Sequence, residues 1–152
     1  MRNIKNDLAF GKKYEIECMN FLNEHGVFGG NFKLTDSQDK FHNFDMTNGN
    51  VYVEHKKRPN LKFHEMWYDS LYFDKVKYTR YLKMRSDPNL DFYIIWTCDD
   101  GRFIWKFQDQ FDDEGNAKFY EKRQYEQDRG KGYLQDTDMI CVFREEINEL
   151  KI

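Results

Sequence analysis

Residues 41–58 of the chain read FHNFDMTNGNVYVEHKKR, and their pattern decides the predicted fold. At the centre stands Asn48-Gly49, the dipeptide most typical of a two-residue turn between antiparallel β-strands. With these two residues as the turn, Asp45 in the first strand pairs with Tyr52 in the second. The stretch therefore predicts a β-hairpin whose register is set by the turn.

This register brings three charged side chains to one face of the sheet. Side chains alternate between the two faces of a strand, so Asp45, Glu54 and Lys56 share a face. Asp45 and Glu54 become diagonal neighbours, roughly 6–8 Å apart, which lets both carboxylates hold one divalent cation. A four-residue loop over 47–50 keeps the same parity, whereas a slip of one residue would move Asp45 to the opposite face. The predicted site therefore depends on the register.

Asp45 and Glu54 lack histidine or cysteine partners and form a hard oxygen site, which suits Mg²⁺, with Mn²⁺ as a substitute. Such an ion supports phosphodiester hydrolysis, because it lowers the pKa of a bound water and neutralises charge that grows on the phosphate. Lys56 would orient or deprotonate that water and stabilise the transition state. The backbone carbonyl of His55 is a further candidate ligand. The hairpin thus predicts a metal-dependent phosphodiesterase.

A fourth charged residue, Glu15, lies on a predicted helix that begins at Asn6 or Asp7 and ends near Asn23. Helical spacing places Glu15 in a stripe of small and apolar residues, namely Leu8, Gly11, Cys18 and Leu22. A carboxylate in such a stripe is costly unless a cation meets it. Glu15 is therefore a candidate ligand of the metal, directly or through water, with a salt bridge at the core edge as the alternative.

The remaining elements follow from apolar spacing and turn residues. They are an edge strand near 31–34, one long or two short helices over 64–85, a buried strand at 92–98, a partner strand at 102–107, a polar loop with a short helix over 108–132, and a strand at 139–143 before a frayed tail. No linker or internal repeat divides the sequence. The order predicts a single α/β domain over residues 1–152, with a central mixed β-sheet flanked by helices.

Composition predicts a soluble intracellular protein with no membrane partner. Aromatic residues make up 18% of the 152 residues, enough to build a core although 34% are charged. The N-terminus lacks the apolar region of a signal peptide, and no apolar run is long enough to span a bilayer. Cys18, Cys98 and Cys141 are odd in number and far apart, which predicts small buried residues rather than disulfides or a zinc site.

The charges are unevenly distributed along the sequence. Residues 56–85 contain nine Lys and Arg against three acidic residues, whereas residues 99–128 contain nine acidic residues against five basic ones. This asymmetry predicts a basic face that contacts phosphates. A charged helix with solvated Lys and Arg is the commoner origin of such a pattern.

Taken together, these motifs resemble the PD-(D/E)XK nuclease superfamily. The matching residues are Gly11 and Glu15 on the first helix, Asp45 in the first hairpin strand, and Glu54-His55-Lys56, which fits (D/E)-x-K, in the second. Phe44 stands where the family name has proline. Residues 71–82, LYFDKVKYTRYL, resemble the helix after the core motif, where Lys75 or Lys77 is the candidate for the site. The resemblance covers about residues 5–107 and leaves 108–152 as a C-terminal extension.

The resemblance implies a restriction-endonuclease-like core, as in Holliday junction resolvases, and a Mg²⁺-dependent endonuclease that acts on DNA, with RNA as an alternative substrate. It implies Asp45 and Glu54 as metal ligands, Lys56 as the catalytic lysine and Glu15 as an auxiliary carboxylate. Small nucleases of this kind often pair so that two sites cut two strands, which makes a homodimer a further expectation. Candidate contacts to nucleic acid are Lys57, Arg58, Lys62, Lys75, Lys77 and Arg80.

The main alternative is a nucleic-acid-binding protein with a degenerate nuclease fold and no catalysis. In that case the basic residues contact phosphates while Trp67, Tyr68 or Tyr72 stacks on bases. The spacing of most of these aromatic residues also fits packing in the core. Cleavage that requires Mg²⁺ would distinguish the enzyme from the binding protein.

Three other interpretations of the carboxylates and histidines are open. An ordinary surface hairpin would leave Glu54 and Lys56 as an exposed ion pair. His42, His55 and His64 could form a zinc or nickel site, although their spacing matches no common zinc motif. A two-carboxylate glycosidase is the third, which the nearby lysines disfavour.

Overall fold

A computed structural model of the chain describes residues 4–36, 44–126 and 135–151. Within these ranges there are two α-helices, α1 (Ile4–Glu24) and α2 (Lys75–Met84). The strands are β1 (Lys33–Leu34), β2 (Met46–Thr47), β3 (Val51–Lys57), β4 (Ser70–Asp74), β5 (Asp91–Cys98), β6 (Gly101–Lys106), β7 (Phe119–Glu126), β8 (Gln135–Phe143) and β9 (Asn148–Glu149). No helix among the described residues is both long and apolar enough to cross a membrane.

The strands form two sheets. The larger sheet has the order β1-β2-β3-β5-β6-β9, with β3 and β5 parallel and its other described neighbours antiparallel. The chain passes from β3 to β5 through β4 and α2, the long crossover that a parallel pair requires. The smaller sheet is antiparallel and has the order β4-β8-β7. The predicted α/β class with a mixed central sheet and helices is therefore confirmed.

Apolar side chains cover both faces of the larger sheet. On one face, Cys18 of α1 packs with Val53 of β3 and Ile95 of β5. On the other face, Trp96 and its aromatic neighbours pack against the smaller sheet and against Tyr78 of α2. Because side chains alternate along a strand, β3 presents its odd-numbered residues to α1 and its even-numbered residues to α2 and the smaller sheet.

The register of the hairpin differs from the prediction by two residues. The observed pairs are Met46 with Val53 and Thr47 with Tyr52, so that residues 48–51 connect the two paired segments; Val51, which accepts from the N–H of Asn48 (3.2 Å), is already the first residue of β3. The predicted pairing of Asp45 with Tyr52 is therefore wrong, and so is the loop over 47–50. A shift of two residues preserves the alternation on which the site depends, and it brings Asp45 alongside Glu54 instead of diagonal to it.

The side chain of Asn48 explains the longer turn. Its Oδ1 accepts hydrogen bonds from the N–H groups of Asn50 (3.1 Å) and Val51 (2.9 Å). Its Nδ2 donates to the carbonyl oxygen of Phe28 (3.0 Å), which ties the turn to the segment after α1. Gly49 has a φ of +99°, which residues with a Cβ rarely adopt. Asn-Gly thus makes the turn, but side-chain hydrogen bonds extend it to four residues.

The helix predicted over 64–85 is wrong in its first half. Residues 70–74 form β4, which pairs with β8, and α2 begins only at Lys75. Leu71 and Phe73 are fully buried, whereas the residues beside them are partly exposed, which is the period-two pattern of a strand. Pairing with a strand that lies far away in sequence therefore overrides the local helical spacing.

The C-terminal region contributes more regular structure than predicted. β7 occupies residues where a loop with a short helix was expected, and β9 pairs with β6 where a frayed tail was expected. Phe119 and Val142 are buried in the same core as Phe92. The other predicted elements are confirmed, namely the first helix, the edge strand and the strands at 92–98, 102–107 and 139–143. The predicted start of the first helix is wrong, because Asn6 and Asp7 lie within α1 and do not cap it. The three cysteines are buried and form no disulfide.

Candidate functional site

The candidate site lies at an edge of the larger sheet, where β2 ends and β3 continues. β2 pairs with Tyr52 and Val53, and within the described ranges no strand covers this edge of β3 from Glu54 onward. Asp45 takes that place. Its N–H donates to the carbonyl oxygen of Val53 (3.0 Å), and its Oδ2 accepts a hydrogen bond from the N–H of His55 (2.8 Å). The carbonyl of Val53 thus holds the main chain of Asp45, and the N–H of His55 holds its carboxylate beside Glu54.

Glu54 is a buried carboxylate on β3, beside this uncovered edge. Its relative exposure is 8%, and its Oε1 makes no hydrogen bond in the described part of the chain. The Nζ of Lys77 on α2 lies 3.6 Å from this oxygen, which is an ion-pair distance. Burial raises the pKa of Glu54 well above its ordinary value, and the charge of Asp45 raises it further, while Lys77 opposes both. The charge of Lys77 therefore does not offset the effect of burial and of Asp45 on the pKa of Glu54.

Glu15 of α1 approaches Asp45 from the other side of the sheet. Burial raises the pKa of Glu15 from 4.5 to about 7, and the charge of Asp45 and hydrogen bonding to it contribute to the rise. Lys12 and Lys77 act in the opposite direction. Asp45 therefore stands between Glu15 and Glu54, and the three predicted carboxylates come together in one place.

Of the two lysines offered by the sequence on the second helix, Lys77 belongs to the site and Lys75 does not. Lys77 contacts Glu54, and 18% of its side chain is exposed. The Nζ of Lys75 donates to Glu121 of β7 at 2.9 Å instead. Lys56 lies two residues beyond Glu54 on the same face of β3, and its charge lowers the pKa of Glu54. Two cations, Lys56 and Lys77, therefore flank the carboxylates.

The side chain of His55 faces away from the carboxylates. Its Nε2 lies 2.7 Å from Oγ1 of Thr97 on β5. Burial, followed by the charges of Arg102 and Lys57, lowers the pKa of His55 to about 4, so the imidazole is neutral at neutral pH. His55 contributes to the site through its main-chain N–H, which donates a hydrogen bond to Asp45. Its carbonyl as a metal ligand stays a prediction.

The other predicted contacts to nucleic acid do not form a single surface. The Nζ of Lys57 lies 4.7 Å from the ring centre of Tyr14, on the α1 side. The guanidinium of Arg58 lies 4.3 Å from the ring centre of Tyr72, on the side of Glu54. Lys62 and Glu65 form an exposed ion pair at 3.7 Å. Arg80 lies one turn beyond Lys77 on α2 and therefore on the same side of that helix.

The two carboxylates Asp45 and Glu54 suit Mg²⁺ rather than a metal held by the protein alone. In the part of the chain that the structure describes, no group of three or more His, Cys, Asp or Glu side chains is arranged to hold a metal ion. Mg²⁺ needs only one or two carboxylates, because it keeps several waters and takes substrate oxygens as ligands. The buried Oε1 of Glu54, which lacks a hydrogen bond, fits such an ion.

The structure argues against the three alternatives for the carboxylates and histidines. Glu54 is buried and does not form an exposed pair with a neighbour on a surface hairpin. His55 faces Thr97, and His64 contacts Glu149 at 2.7 Å, so these two histidines do not converge; His42 lies outside the described residues. For the glycosidase, the cation of Lys77 lies 3.6 Å from Glu54, and cations beside both carboxylates favour a phosphate substrate instead.

Sequence reasoning missed Lys12 as part of the surroundings of Glu15. Lys12 precedes Glu15 by three residues on α1, and its charge lowers the pKa of that carboxyl. The signal was available, because residues three apart on a helix are neighbours on its surface. Lys12 therefore joins Lys77 as a cation beside Glu15.

No family model matches the chain, and no curated protein or solved structure shows significant similarity to it.

Proposed function

We propose that the chain is a Mg²⁺-dependent endonuclease that hydrolyses phosphodiester bonds of DNA and has a restriction-endonuclease-like core of the PD-(D/E)XK type. One observation carries the proposal: the carboxylate of Asp45 is held between Glu15 and Glu54, with Lys56 and Lys77 beside them. Natural sequences rarely concentrate buried negative charge without a functional reason.

The order of the elements supports the same core. A helix that carries Glu15 precedes a hairpin that carries Asp45 and Glu54, and a crossover with α2 returns the chain to β5, parallel to β3. α1 packs on one face of the sheet and α2 on the other. Residues from three separate segments thereby meet at the edge of β3.

Asp45 and Glu54 would hold the Mg²⁺, with the carbonyl of His55 as a further ligand and Glu15 acting through a water. When bound, the ion supplies Lewis acidity toward the phosphate and lowers the pKa of a water. It would also lower the pKa values of Glu15 and Glu54, since an added cation favours the charged form of a carboxyl.

The chain's own residues would perform the other tasks. The N–H of His55 fixes the carboxylate of Asp45, so this metal ligand would need little rearrangement before substrate binds. Lys56 stands on the face of Glu54, from which it can orient the attacking water and stabilise negative charge on the phosphate. Lys77 keeps Glu54 oriented through their contact at 3.6 Å.

Metal binding and cleavage, measured separately, test the proposal. Calorimetry with Mn²⁺ should detect binding to the wild type and none to Asp45→Ala or Glu54→Ala. Incubation with supercoiled plasmid DNA or structured RNA should show cleavage in Mg²⁺ and none in EDTA. Lys56→Ala should bind Mn²⁺ and substrate but lose cleavage. Glu121→Ala removes a carboxylate that lies away from the site and should behave like the wild type.

Absence of Mn²⁺ binding by the wild type, or equal cleavage by Asp45→Ala, would overturn the proposal. A second candidate, a nucleic-acid-binding protein without catalysis, is favoured by the contact of Lys77 with Glu54, because this lysine partly supplies the charge that a metal would bring. Binding of nucleic acid that is independent of metal and is followed by no cleavage would identify that function.

A further inference from the structure

A cavity opens on the same face of β3 as the carboxylates, farther along the chain. Arg58 follows Lys56 by two residues, and its N–H donates to the carbonyl oxygen of Thr97 (2.8 Å), which continues the parallel pairing of β3 with β5. Its side chain therefore lies on the face of Glu54 and Lys56. The cavity has a volume of about 340 Å³, and its lining includes Arg58, Trp67, Tyr68, Tyr72, Tyr120 and Lys122.

The most exposed large apolar side chain at this cavity is that of Trp67. It is 90% exposed, whereas Trp96 and Trp105 are buried in the core. Single exposed apolar residues are common on proteins, but this indole stands at the rim of a cavity lined by three tyrosines. A flat, exposed aromatic ring at such a position is suited to stacking.

The segment that presents Trp67 leads into β4 and is held in place by Arg144, which follows the neighbouring strand β8. Arg144 donates from its guanidinium to the carbonyl oxygen of Met66 (2.8 Å) and to that of Tyr68. Its N–H also donates to the carbonyl oxygen of Asp69 (2.7 Å). Three main-chain groups around Trp67 are therefore held by Arg144, so the ring projects from an anchored stretch of main chain.

The cavity also offers charge and hydrogen-bonding groups. The guanidinium of Arg58 covers the ring of Tyr72, and Lys122 adds a second positive charge. The hydroxyl of Tyr120 lies 3.1 Å from Oγ of Ser70 and donates to Asp69 at 3.3 Å. The cavity thus combines cations that can contact phosphate, Arg58 and Lys122, with hydroxyl groups that can hydrogen-bond to the edge of a base.

We propose that this cavity binds an unpaired nucleobase of the strand whose phosphodiester lies at Asp45 and Glu54. The base stacks on Trp67, and Arg58 and Lys122 contact the adjoining phosphates. Arg58 follows Glu54 by four positions of extended chain, about 13 Å, a span that a few nucleotides of one strand cover. The inference rests on the proposed function for the class of ligand, and it specifies the substrate as nucleic acid with a single-stranded segment beside the bond that is cut.

Tryptophan fluorescence tests the cavity independently of cleavage. The background is Lys56→Ala, which should not cut, in Mg²⁺ and again in EDTA. A single-stranded oligonucleotide of about a dozen nucleotides should quench the emission of Trp67, and a blunt duplex of the same length should quench it less, because stacking needs an unpaired base. In anisotropy titrations with labelled oligonucleotides, Trp67→Ala should weaken binding of the single strand roughly five- to hundred-fold and leave duplex binding unchanged.

Matched variants exclude a loss of folding as the cause. Trp67 is largely exposed, so its replacement should leave the melting temperature unchanged, and Trp67→Phe should retain most of the affinity because it keeps an aromatic ring. Phe111 is 57% exposed and does not line the cavity, so Phe111→Ala should bind both oligonucleotides like the background protein.

The two proposals fail in different ways. Cleavage of plasmid by Trp67→Ala at the wild-type rate, together with unchanged affinity for the single strand, overturns the base site and leaves the nuclease intact. Quenching that depends on Trp67 in a protein that binds no Mn²⁺ and cuts nothing supports the base site and overturns the nuclease. No oligonucleotide binding at all, or a Trp67-dependent complex formed only with another protein, overturns the base site.

Discussion

The Oδ2 of Asp45 accepts a hydrogen bond from the main-chain N–H of His55 at 2.8 Å. His55 lies between Glu54 and Lys56 on β3, so this bond ties the first carboxylate to the strand that carries the second carboxylate and the lysine. The donor belongs to the backbone, and the imidazole of His55 is turned to the other face. The alignment of the site therefore depends on strand geometry more than on any side chain at position 55.

Asp45→Asn tests whether the charge of Asp45 or only its hydrogen bond matters. The amide oxygen can still accept from the N–H of His55, so the melting temperature should change by only a few degrees. Loss of the charge should lower the pKa of Glu15 from about 7 toward 4.5, because Asp45 contributes to the shift. NMR titration of the side-chain carboxyl groups measures this value. An unchanged titration of Glu15 would contradict the arrangement described for the site.

Glu15→Gln should make the metal-free protein more stable at high pH. The pKa of Glu15 is about 7 in the fold against an ordinary 4.5, so the folded state binds the proton more tightly than the unfolded state. Glu15 therefore destabilises the fold progressively as the pH rises from about 4.5 through 7. At pH 8 the variant should gain on the order of 1 kcal/mol, a reduced figure because solvent reaches part of the side chain; at pH 4 it should match the wild type.

Urea unfolding at pH 4 and pH 8 in EDTA measures this difference in the free energy of unfolding. Glu17→Gln is the matched control, because Glu17 is exposed on the same helix. Equal stability of Glu15→Gln and wild type at pH 8 would contradict the burial of this carboxylate. Under the proposed function, saturating Mg²⁺ should stabilise the wild type more than the variant and so reduce the difference.

Lys77→Ala and Lys75→Ala should differ, although the two lysines are two residues apart. Removal of Lys77 leaves the carboxylate of Glu54 without the cation in contact with its Oε1, so plasmid cleavage should fall by roughly ten- to a hundred-fold. Removal of Lys75 breaks an exposed contact with Glu121 and should change cleavage by less than about twofold. Initial cleavage rates of the two variants in Mg²⁺ make the comparison. Equal losses would show that Lys77 has no special relation to the site.

Asn48→Ala should destabilise the fold by about 1–3 kcal/mol, because the turn loses two hydrogen bonds accepted by the side chain and two donated to the carbonyl oxygens of Phe28 and Gly30. Asn50→Ala serves as the control, since Asn50 is exposed in the same turn. Thermal unfolding compares the two. The register should also loosen, which broadening of the amide signals of β3 in NMR spectra would reveal. A melting temperature equal to that of the control would contradict the role given to Asn48.

The grouping of Asp45 and Glu54 could largely be predicted from the sequence. Side chains alternate along a strand, so any even shift in the register leaves the same residues on one face. The turn proved two residues longer than predicted, yet an even shift leaves Asp45 and Glu54 together. Which of Lys75 and Lys77 reaches the site could not be predicted from the sequence. It depends on where α2 begins, and the residues before that point, including Leu71 and Phe73, suit either a helix or a strand when they are considered locally.

What the sequence could not show depends on contacts between distant segments. β4 becomes a strand because β8, more than sixty residues later, pairs with it, and no local pattern predicts that partner. The same applies to Trp67, whose spacing resembled that of core residues. It is 90% exposed, in a segment whose main chain is bonded to Arg144, a residue far away in the sequence.

The attachment of Glu15 to α1, on the face of the sheet opposite α2, has a consequence for amide hydrogen exchange. A local opening of α1 would remove Glu15 from Asp45 while the sheet itself stays formed, so the complete carboxylate cluster exists only in the fraction of molecules with α1 docked. Any ligand that binds the complete cluster must then slow amide exchange in the buried turns of α1 around Cys18 and Leu22. The slowing should grow with the ratio of the free ligand concentration to the dissociation constant. Protection of one helix would thus report occupancy of a site built mainly on the sheet.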